Sequence, residues 1–155
     1  AIKKDAFIAC DIITGFPGET DEDFEKTRQM CKDLNFTWIH AFPFSARPGT
    51  EAYTMKPVIG THIASERVLV LTAIAQEHKQ NFVQSMKGKH LKAIVEKRET
   101  LPLRAVTENF LHTELIIPET IDPESIKGKE IIVSIIEKSC LKNCDAKAKF
   151  LQLTQ

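Results

Sequence analysis

A short run of glycine, proline and glutamate follows the first apolar segment of the chain. Its residues are Gly15-Phe16-Pro17-Gly18-Glu19. Glycine lets a backbone approach a ligand closely or adopt a positive φ, and the proline stiffens the turn between the two glycines. A carboxylate just before a helix gains a few tenths to about 1 kcal/mol from the helix dipole. The same residue types suit a plain strand-to-helix turn, so this run alone does not decide between a ligand site and a structural turn.

A second group of candidate residues is aromatic. Phe42 and Pro43 fall at the carboxyl end of a predicted parallel strand, which is the edge where α/β sheets place their ligands. A wall against a planar ligand is the functional interpretation of this pair. A core aromatic is the competing interpretation for Phe44 and Trp38. We interpret His40, in the middle of the same strand, as a core histidine with satisfied hydrogen bonds.

Arg47 is the charged residue that stands out in the loop after the predicted second strand. Pro48 and Gly49 follow it and restrict the loop. A guanidinium fixed in this way suits a phosphate or a carboxylate ligand. The structural alternative is a surface arginine on a mobile loop.

Basic residues also form a cluster after residue 86. Residues 1–86 hold 9 basic and 11 acidic side chains, whereas residues 87–155 hold 12 and 10. The balance of 21 against 21 in the whole chain excludes a generally basic nucleic-acid coat. The local cluster still suits the phosphate backbone of RNA, although a solvated barrel face needs the same residue types. Its members are Lys87, Lys89, Lys92, Lys97, Arg98 and Arg104.

The cysteines predict neither a disulfide framework nor a metal site. Cys10, Cys31, Cys140 and Cys144 are too few and too irregularly spaced for a set of disulfides. Cys140 and Cys144 offer only two sulfurs, for which a weak surface metal site is the alternative. We therefore interpret all four as reduced thiols.

The pattern of the first half predicts an α/β unit. Residues 5–14 are apolar on both faces except at Asp11, which is typical of a strand covered on both sides in a parallel sheet. Thr20 and Asp23 resemble a capping box before a helix of about four turns. Residues 36–44 form the next apolar run, so the order is a right-handed βαβ unit. A loop over 45–61 and a long helix over 62–86, ended by Gly88, follow.

The second half changes to short β runs, which predict a small β-barrel. The runs cover residues 90–96, 103–107, 110–117 and 130–137. We expect the Lys-rich tail over 140–155 to be mobile or weakly helical. The predicted domains are 1–61, a linking helix over 62–86, the barrel over 87–139, and the tail.

Two motifs in the right order resemble the late part of the radical S-adenosylmethionine core of the methylthiotransferases. They are Asp11-Ile12-Ile13-Thr14-Gly15-Phe16-Pro17-Gly18-Glu19-Thr20 and His40-Ala41-Phe42-Pro43-Phe44-Ser45-Ala46-Arg47-Pro48-Gly49-Thr50. The segment over 88–138, especially Ile126-Lys127-Gly128-Lys129-Glu130-Ile131-Ile132-Val133, resembles the TRAM domain of these enzymes. The resemblance implies the last βα units of a partial TIM-like radical S-adenosylmethionine barrel, followed by a small all-β TRAM barrel.

The resemblance also implies the cofactors and their contacts. Family members use S-adenosylmethionine and two [4Fe–4S] clusters, and the cluster-binding cysteine motifs do not occur in this chain. We therefore expect a C-terminal fragment of the enzyme with no catalytic residue, inactive alone and binding no cofactor tightly. The residues expected to contact S-adenosylmethionine in the parent protein are Gly15, Phe16, Pro17, Gly18, Glu19, Phe42, Pro43 and Arg47. Phe16 would cover the base, and Glu19 would bind a ribose or a neighbouring loop.

The implied substrate is tRNA, methylthiolated at C2 of a modified adenosine next to the anticodon. The form of the second motif is closer to the threonylcarbamoyladenosine branch than to the isopentenyladenosine or ribosomal-protein branches, which remain alternatives. Another alternative is a non-catalytic RNA-binding module. The TRAM-like part would anchor the anticodon stem-loop, and a reductant protein would serve the parent. Thr107, Asn109 and Phe110 keep part of the family's RNA-contact pattern, whereas Ala105 and Val106 replace its Gly and Arg.

The remaining expectations concern location and association. No apolar stretch approaches the roughly 20 residues of a membrane-spanning helix, so we expect no membrane contact. The first residues lack the features of a signal peptide, and we assign the cytoplasm. The strand over residues 7–13 would expose its edge in a fragment, and exposed edges pair with other chains. We therefore expect possible self-association through this strand.

Overall fold

The structure, a computed structural model, describes residues 5–98 and 102–154. It divides into two compact units. One is an α/β unit over Phe7–Lys79, and the other contains the described residues of Ala1–Ala6 and Gln80–Gln155. No helix in the described ranges combines the length and the apolar character needed to cross a membrane.

The α/β unit is built on a pair of parallel strands, β1 (Ala9–Thr14) and β2 (Trp38–Pro43). Helix α1 (Asp21–Leu34) connects the strands. A short 3-10 helix over Glu51–Tyr53 precedes helix α2 (Thr61–Met86), whose residues after Lys79 belong to the second unit. The parallel pairing and both helices confirm the predicted order of elements. The larger TIM-like barrel stays a prediction, because β1 and β2 alone form this sheet in the described chain.

The beginning of α1 is fixed by the predicted capping box. The amide of Asp23 donates to Thr20 Oγ1 at 3.1 Å, and the amide of Thr20 donates to Asp23 Oδ2 at 3.1 Å. These bonds satisfy two backbone donors that a helix start leaves free. They also hold the pKa of the Asp23 carboxyl below its ordinary value, because hydrogen bonds from Thr20 favour the ionised form. Asn35, with φ 48°, ends the helix in the left-handed conformation.

The core of the α/β unit lies on one face of the parallel pair. Cys31 of α1, Ile39 of β2 and Leu71 of α2 are buried together, with Cys10 and Ile12 packed against them. The prediction of a strand buried on both faces is therefore wrong. Its other face is open in the described chain because α1 and α2 pack on one side only, and Ile13 remains 56% exposed.

The second unit contains a closed barrel of five strands in the order β3-β4-β5-β7-β6. Its strands are β3 (His90–Val95), β4 (Arg104–Thr107), β5 (His112–Ile116), β6 (Glu130–Lys138) and β7 (Ala146–Leu153), with helix α3 (Pro123–Ile126) before β6. The predicted β runs match the first four strands. Neighbouring strands are antiparallel except β5 and β7, which are parallel. Alternate side chains point inward, so residues such as Ala93, Leu115 and Val133 form one core.

The tail corrects the sequence analysis. Residues predicted to be mobile or weakly helical form β7, which pairs with both β5 and β6 and closes the barrel. Ala146, Ala148 and Phe150 point inward, whereas Lys149 is exposed. Two small alanines give a weak apolar signal, and pairing with two strands distant in sequence is what buries them.

Gly88 ends α2 as predicted and starts the barrel. Its φ of 77° lies in the left-handed region that favours glycine. The amide of Gly88 donates to the carbonyl of Ile135 in β6 at 2.8 Å, and the amide of Lys89 donates to the carbonyl of Met86 at 2.9 Å. These bonds join the end of the helix to the wall of the barrel.

Candidate functional site

The glycine-rich turn lies at the carboxyl end of β1. Gly15 has a φ of 73°, and a Cβ added there would lie 2.5 Å from the Cβ of Ala64 in α2. Any larger residue at position 15 would therefore separate the turn from the helix. The amide of Gly18 donates to the carbonyl of Pro57 at 3.0 Å, which fixes the other end of the turn to the loop before α2. Pro17 is buried in this turn, while Phe16 is 40% exposed.

Glu19 holds the turn through its side chain. Its Oε2 accepts a hydrogen bond from the amide of Gly15 at 2.5 Å and another from Arg67 Nη1 at 2.5 Å. The side chains of Arg67 and Glu19 are only 6% and 12% exposed. Glu19 therefore bonds to its own turn and to α2. Its predicted contact with a cofactor ribose stays a prediction.

Arg67 is a site residue that the sequence analysis did not single out. Its Nη2 donates to Asp21 Oδ1 at 2.7 Å, and its guanidinium lies 5.1 Å from the centre of the Phe24 ring. Burial alone would lower the pKa of Arg67, but the hydrogen bonds with Asp21 and Glu19 raise it, so the charge is retained. A charged residue at an apolar position of the α2 pattern was the signal that could have indicated a buried ion pair.

Thr14 joins the turn to both neighbouring elements. Its hydroxyl is fully buried and lies 2.9 Å from the carbonyl of Ala64 and 3.3 Å from the carbonyl of Phe42. The amide of Phe44 donates to the carbonyl of Thr14 at 2.7 Å. The carboxyl ends of β1 and β2 therefore form one connected edge.

Three phenylalanines lie at this edge. The rings of Phe16 and Phe44 meet edge to face, with centroids 5.2 Å apart and an interplanar angle of 72°. Phe42, which pairs with Ile13 in the register of the two strands, is 50% exposed. The edge thus offers exposed aromatic faces next to a turn of fixed backbone, which suits a planar ligand.

The outward face of β2 continues this aromatic character. Trp38, His40 and Phe42 alternate along the strand, and the rings of His40 and Phe42 stack at 6.2 Å with an angle of 9°. Trp38 packs partly against the core, and Lys79 Nζ lies 4.7 Å from the centre of its ring. His40 is exposed, so its interpretation as a core histidine is wrong. The sequence pattern correctly predicted that His40 lies within a strand, but no described residue covers the face of the sheet to which its side chain belongs.

Arg47 lies in an exposed turn beyond β2. Its carbonyl accepts a hydrogen bond from the hydroxyl of Thr50 at 2.8 Å, so the backbone of the turn is fixed. No described residue forms an ion pair with its guanidinium. Pro43 is also exposed. Their predicted contacts with a cofactor stay predictions.

The predicted RNA-binding cluster is partly neutralised in the barrel unit. Lys89 pairs with Asp5 at 2.6 Å, Lys92 with Glu130 at 3.1 Å, and Arg98 with Glu96 at 2.6 Å. A phosphate would have to compete with these carboxylates. The other members are Lys87 and Lys97, which are exposed, and Arg104, which is half-buried on β4 opposite Glu114.

Strand β7 brings further lysines to the barrel surface. Lys147 pairs with Glu137 at 3.2 Å, and this hydrogen bond raises the pKa of the lysine. Lys149, Lys138 and Lys142 are exposed and form no ion pair with another described residue. Lys142 and Lys149 could not be recognised from the sequence as part of a barrel surface, because the tail was predicted to be mobile.

The turn after β4 separates a buried polar pair from an exposed ring. Thr107 Oγ1 donates to Asn109 Oδ1 at 2.6 Å, and Asn109 Nδ2 lies 3.4 Å from the sulfur of Met86. Both polar residues are buried, whereas Phe110, with a φ of 60°, is 67% exposed. Phe110 and Ile94 line a shallow cavity of about 260 Å³.

The thiols do not fit an iron–sulfur cluster. Cys10 and Cys31 belong to the α/β unit, and Cys140 and Cys144 to the barrel unit. Burial raises the pKa of Cys31 to about 11 and also raises the pKa of Cys10 and Cys144. Within residues 5–98 and 102–154, no group of three or more His, Cys, Asp or Glu side chains is arranged to hold a metal ion.

Comparison with known proteins found related enzymes. A threonylcarbamoyladenosine tRNA methylthiotransferase from Treponema pallidum is 44% identical over 116 residues, 75% of this chain and 23% of that protein. One of the same name from Aquifex aeolicus is 38% identical over 104 residues, 67% of this chain and 24% of that protein. A tRNA-2-methylthio-N6-dimethylallyladenosine synthase from Bartonella tribocorum is 30% identical over 135 residues, 87% of this chain and 29% of that protein.

The matches cover two thirds or more of this chain but less than a third of each relative. The chain spans about a quarter of the length of the curated relatives that it matches. No protein-family model matches it.

Proposed function

The chain belongs to the radical S-adenosylmethionine methylthiotransferase family, and we propose that it forms part of an enzyme that adds a methylthio group to C2 of a modified adenosine in tRNA. The observation that carries this proposal is the edge of the parallel pair, where the turn held by Glu19 and Arg67 adjoins the exposed rings of Phe16 and Phe42. A fixed backbone beside flat apolar rings suits the adenosine of a nucleoside cofactor.

Each part of the edge has a separate task in this proposal. Phe16 and Phe42 would pack on the adenine and keep water away from it. Gly18 leaves the backbone open to the ligand, because no heavy atom lies within 4 Å of a Cβ added there, whereas Gly15 lets the turn pack closely against α2. Arg47 would pair with a carboxylate or a phosphate. When bound, the cofactor would supply the radical chemistry that activates C2 of the tRNA adenosine.

The described thiols do not suit the clusters of this chemistry, so the proposal takes the cluster ligands from outside this chain. The chain alone would then be inactive, and it would bind S-adenosylmethionine weakly or not at all. Its own residues would orient the cofactor and exclude water. A cytoplasmic location and a reductant protein belong to the same proposal.

The barrel is proposed to hold the anticodon stem-loop of the tRNA. Exposed cations that pair with no described carboxylate, such as Lys142 and Lys149, would contact the phosphate backbone. The excess of cations is small, so we expect about two to four phosphate contacts and weak binding directed by the shape of the RNA.

The threonylcarbamoyl form of the substrate is favoured over the dimethylallyl form. The two relatives named for threonylcarbamoyladenosine are 44% and 38% identical, against 30% for the dimethylallyladenosine relative. Binding of RNAs that differ only in this substituent tests the choice.

The proposed activity is tested by mass spectrometry of tRNA nucleosides from cells with and without the intact gene. We expect deletion to remove a methylthiolated adenosine and to leave its precursor in place, and the intact gene on a plasmid to restore it. An unchanged set of methylthio nucleosides after deletion would contradict the proposal.

A further inference from the structure

The outward face of β2 carries a row of three rings, Trp38, His40 and Phe42, which we call the ring row. Alternation along the strand places it opposite Ile39 and Ala41, whose side chains face the core. His40 and Phe42 are exposed, and their rings are nearly parallel. The row thus leaves the side chains of His40 and Phe42 exposed, where a core would bury them.

The hydrogen bond within the ring row favours one tautomer of the imidazole. Trp38 Nε1 lies 3.3 Å from His40 Nδ1. An indole nitrogen is only a donor, so Nδ1 must be the acceptor and carries no proton. The neutral imidazole then holds its proton on Nε2. His40 therefore presents one N–H donor on an exposed ring.

The surroundings of the ring row are polar at defined points. Asp11 of β1 pairs with His40 in the register of the sheet, which places a carboxylate beside the imidazole. Stacking on Phe42 restricts rotation of the imidazole, since the two rings lie 9° from parallel. A purely apolar partner would leave the Nε2–H donor and the carboxylate without hydrogen bonds, which costs free energy. A flat heteroaromatic ligand whose substituent carries both a carbonyl oxygen and an N–H or O–H donor satisfies both features.

We propose that the Trp38 and His40 end of the ring row receives the N6-substituted adenine of the tRNA substrate, while Phe42 stays with the cofactor, and that His40 Nε2–H donates to a carbonyl or carboxylate oxygen of the substituent. This inference rests on the proposed function and adds the residue that selects the substrate. A threonylcarbamoyl group provides such oxygens, whereas a dimethylallyl group provides none. A site built around a donor rejects an analogue without an acceptor more strongly than an apolar site rejects a polar one.

The test compares two anticodon stem-loop RNAs that differ only in the N6 substituent, threonylcarbamoyl in one and dimethylallyl in the other. The protein is expressed from its complete reading frame, as wild type and as His40→Phe, which keeps a flat ring and removes the donor. A hydrogen bond to a charged group corresponds to about a tenfold to hundredfold change in affinity. We expect the variant to raise Kd and KM for the threonylcarbamoyl RNA by about that factor, with kcat little changed. For the dimethylallyl RNA we expect no change.

Two control variants separate this role from a structural one. His62→Phe changes another exposed histidine of the α/β unit and should leave both RNAs unaffected. Trp38→Phe keeps the ring but removes the bond to Nδ1. It should lower the fraction of the Nε2-protonated tautomer, which nitrogen NMR of labelled histidine measures without an activity assay.

The outcomes separate the inference from the proposed function. Wild-type protein that binds the threonylcarbamoyl RNA more tightly, with the preference lost in His40→Phe, supports the ring row as the selecting surface. Equal losses for both RNAs, or none, would overturn it and would leave the row as a packing surface for another part of the protein. Failure to methylthiolate either RNA would contradict the proposed function, while the binding preference would still decide the inference.

Discussion

The two units of the chain use their sheets in opposite ways. In the barrel, five strands close on themselves and bury a continuous core that includes Ile131 and Val133. In the α/β unit, two helices cover one face of the parallel pair, and the other face leaves His40 and Phe42 exposed. The barrel completes its own core, whereas the parallel pair holds ordered aromatic side chains in the open. We therefore expect the barrel to contribute most of the stability and the parallel pair to hold the proposed ligand site.

Two isoleucine variants test the difference between the units and have the largest expected effect. Ile131→Ala removes a side chain that is fully buried in the barrel, and we expect a loss of about 4 kcal/mol in the free energy of unfolding. Ile13→Ala is the matched change on the exposed face of β1 and should cost less than about 1 kcal/mol. Urea unfolding of both variants measures the difference. Equal losses would show that the face of β1 is as well packed as the barrel.

Arg67 tests whether the edge of the parallel pair is held by its buried ion pair. Arg67→Met leaves the carboxylate of Glu19, 12% exposed, without a cation and should cost about 3 kcal/mol. Arg28→Met removes an exposed pair with Glu25 and should cost less than about 1 kcal/mol. Denaturant unfolding measures both losses. Similar values for the two variants would mean that the Glu19 pair contributes no more than a surface pair.

The free edge of β1 also predicts that the chain associates with a second copy of itself. Ile8, just before β1, is 54% exposed, and the free edge of this strand can pair with a second copy. We expect the chain to elute as a dimer or larger species in size-exclusion chromatography, and Ile8→Lys to shift it toward the monomer. A wild-type monomer at all concentrations, unaffected by Ile8→Lys, would show that the edge does not pair.

The barrel surface gives the smallest expected effect, because its excess of cations is small. Replacing Lys142 and Lys149 together by Ala should weaken binding of all tRNAs alike. It should also reduce the slope of log K against log salt by about 0.7 to 0.9 for each phosphate that the variant no longer neutralises. Replacing Lys89 and Lys92, which already pair with carboxylates, should change the slope less. Salt titrations of tRNA binding measure both slopes. A larger change on replacing Lys89 and Lys92 would show that the cluster predicted from the sequence contacts the RNA instead.

Features set by neighbouring residues could be predicted from the sequence. The capping box of Thr20 and Asp23 and the end of α2 at Gly88 depend on local backbone chemistry, and both are present. The parallel strands followed from continuous apolar runs. The glycine-rich turn followed from the residue types that a close backbone approach requires.

Features set by residues distant in sequence could not be predicted. The bond between Arg67 and Glu19 depends on how α2 packs against the turn. The exposed position of His40 depends on which face of the sheet the helices cover. Strand β7 was missed because Ala146 and Ala148 carry little apolar signal, and only pairing with β5 and β6 closes the barrel around them.

The central claim is that the edge of the parallel pair, and no surface of the barrel, binds the nucleoside cofactor. The direct measurement is the Kd for S-adenosylmethionine of the protein expressed from its complete reading frame, as wild type, as Phe16→Ala with Phe42→Ala, and as Phe110→Ala. Stacking of a base on an aromatic ring contributes about 1–3 kcal/mol, so the double variant should raise Kd about tenfold or more, and Phe110→Ala should leave it unchanged. An unchanged Kd in the double variant, or an equal rise in Phe110→Ala, would contradict the claim.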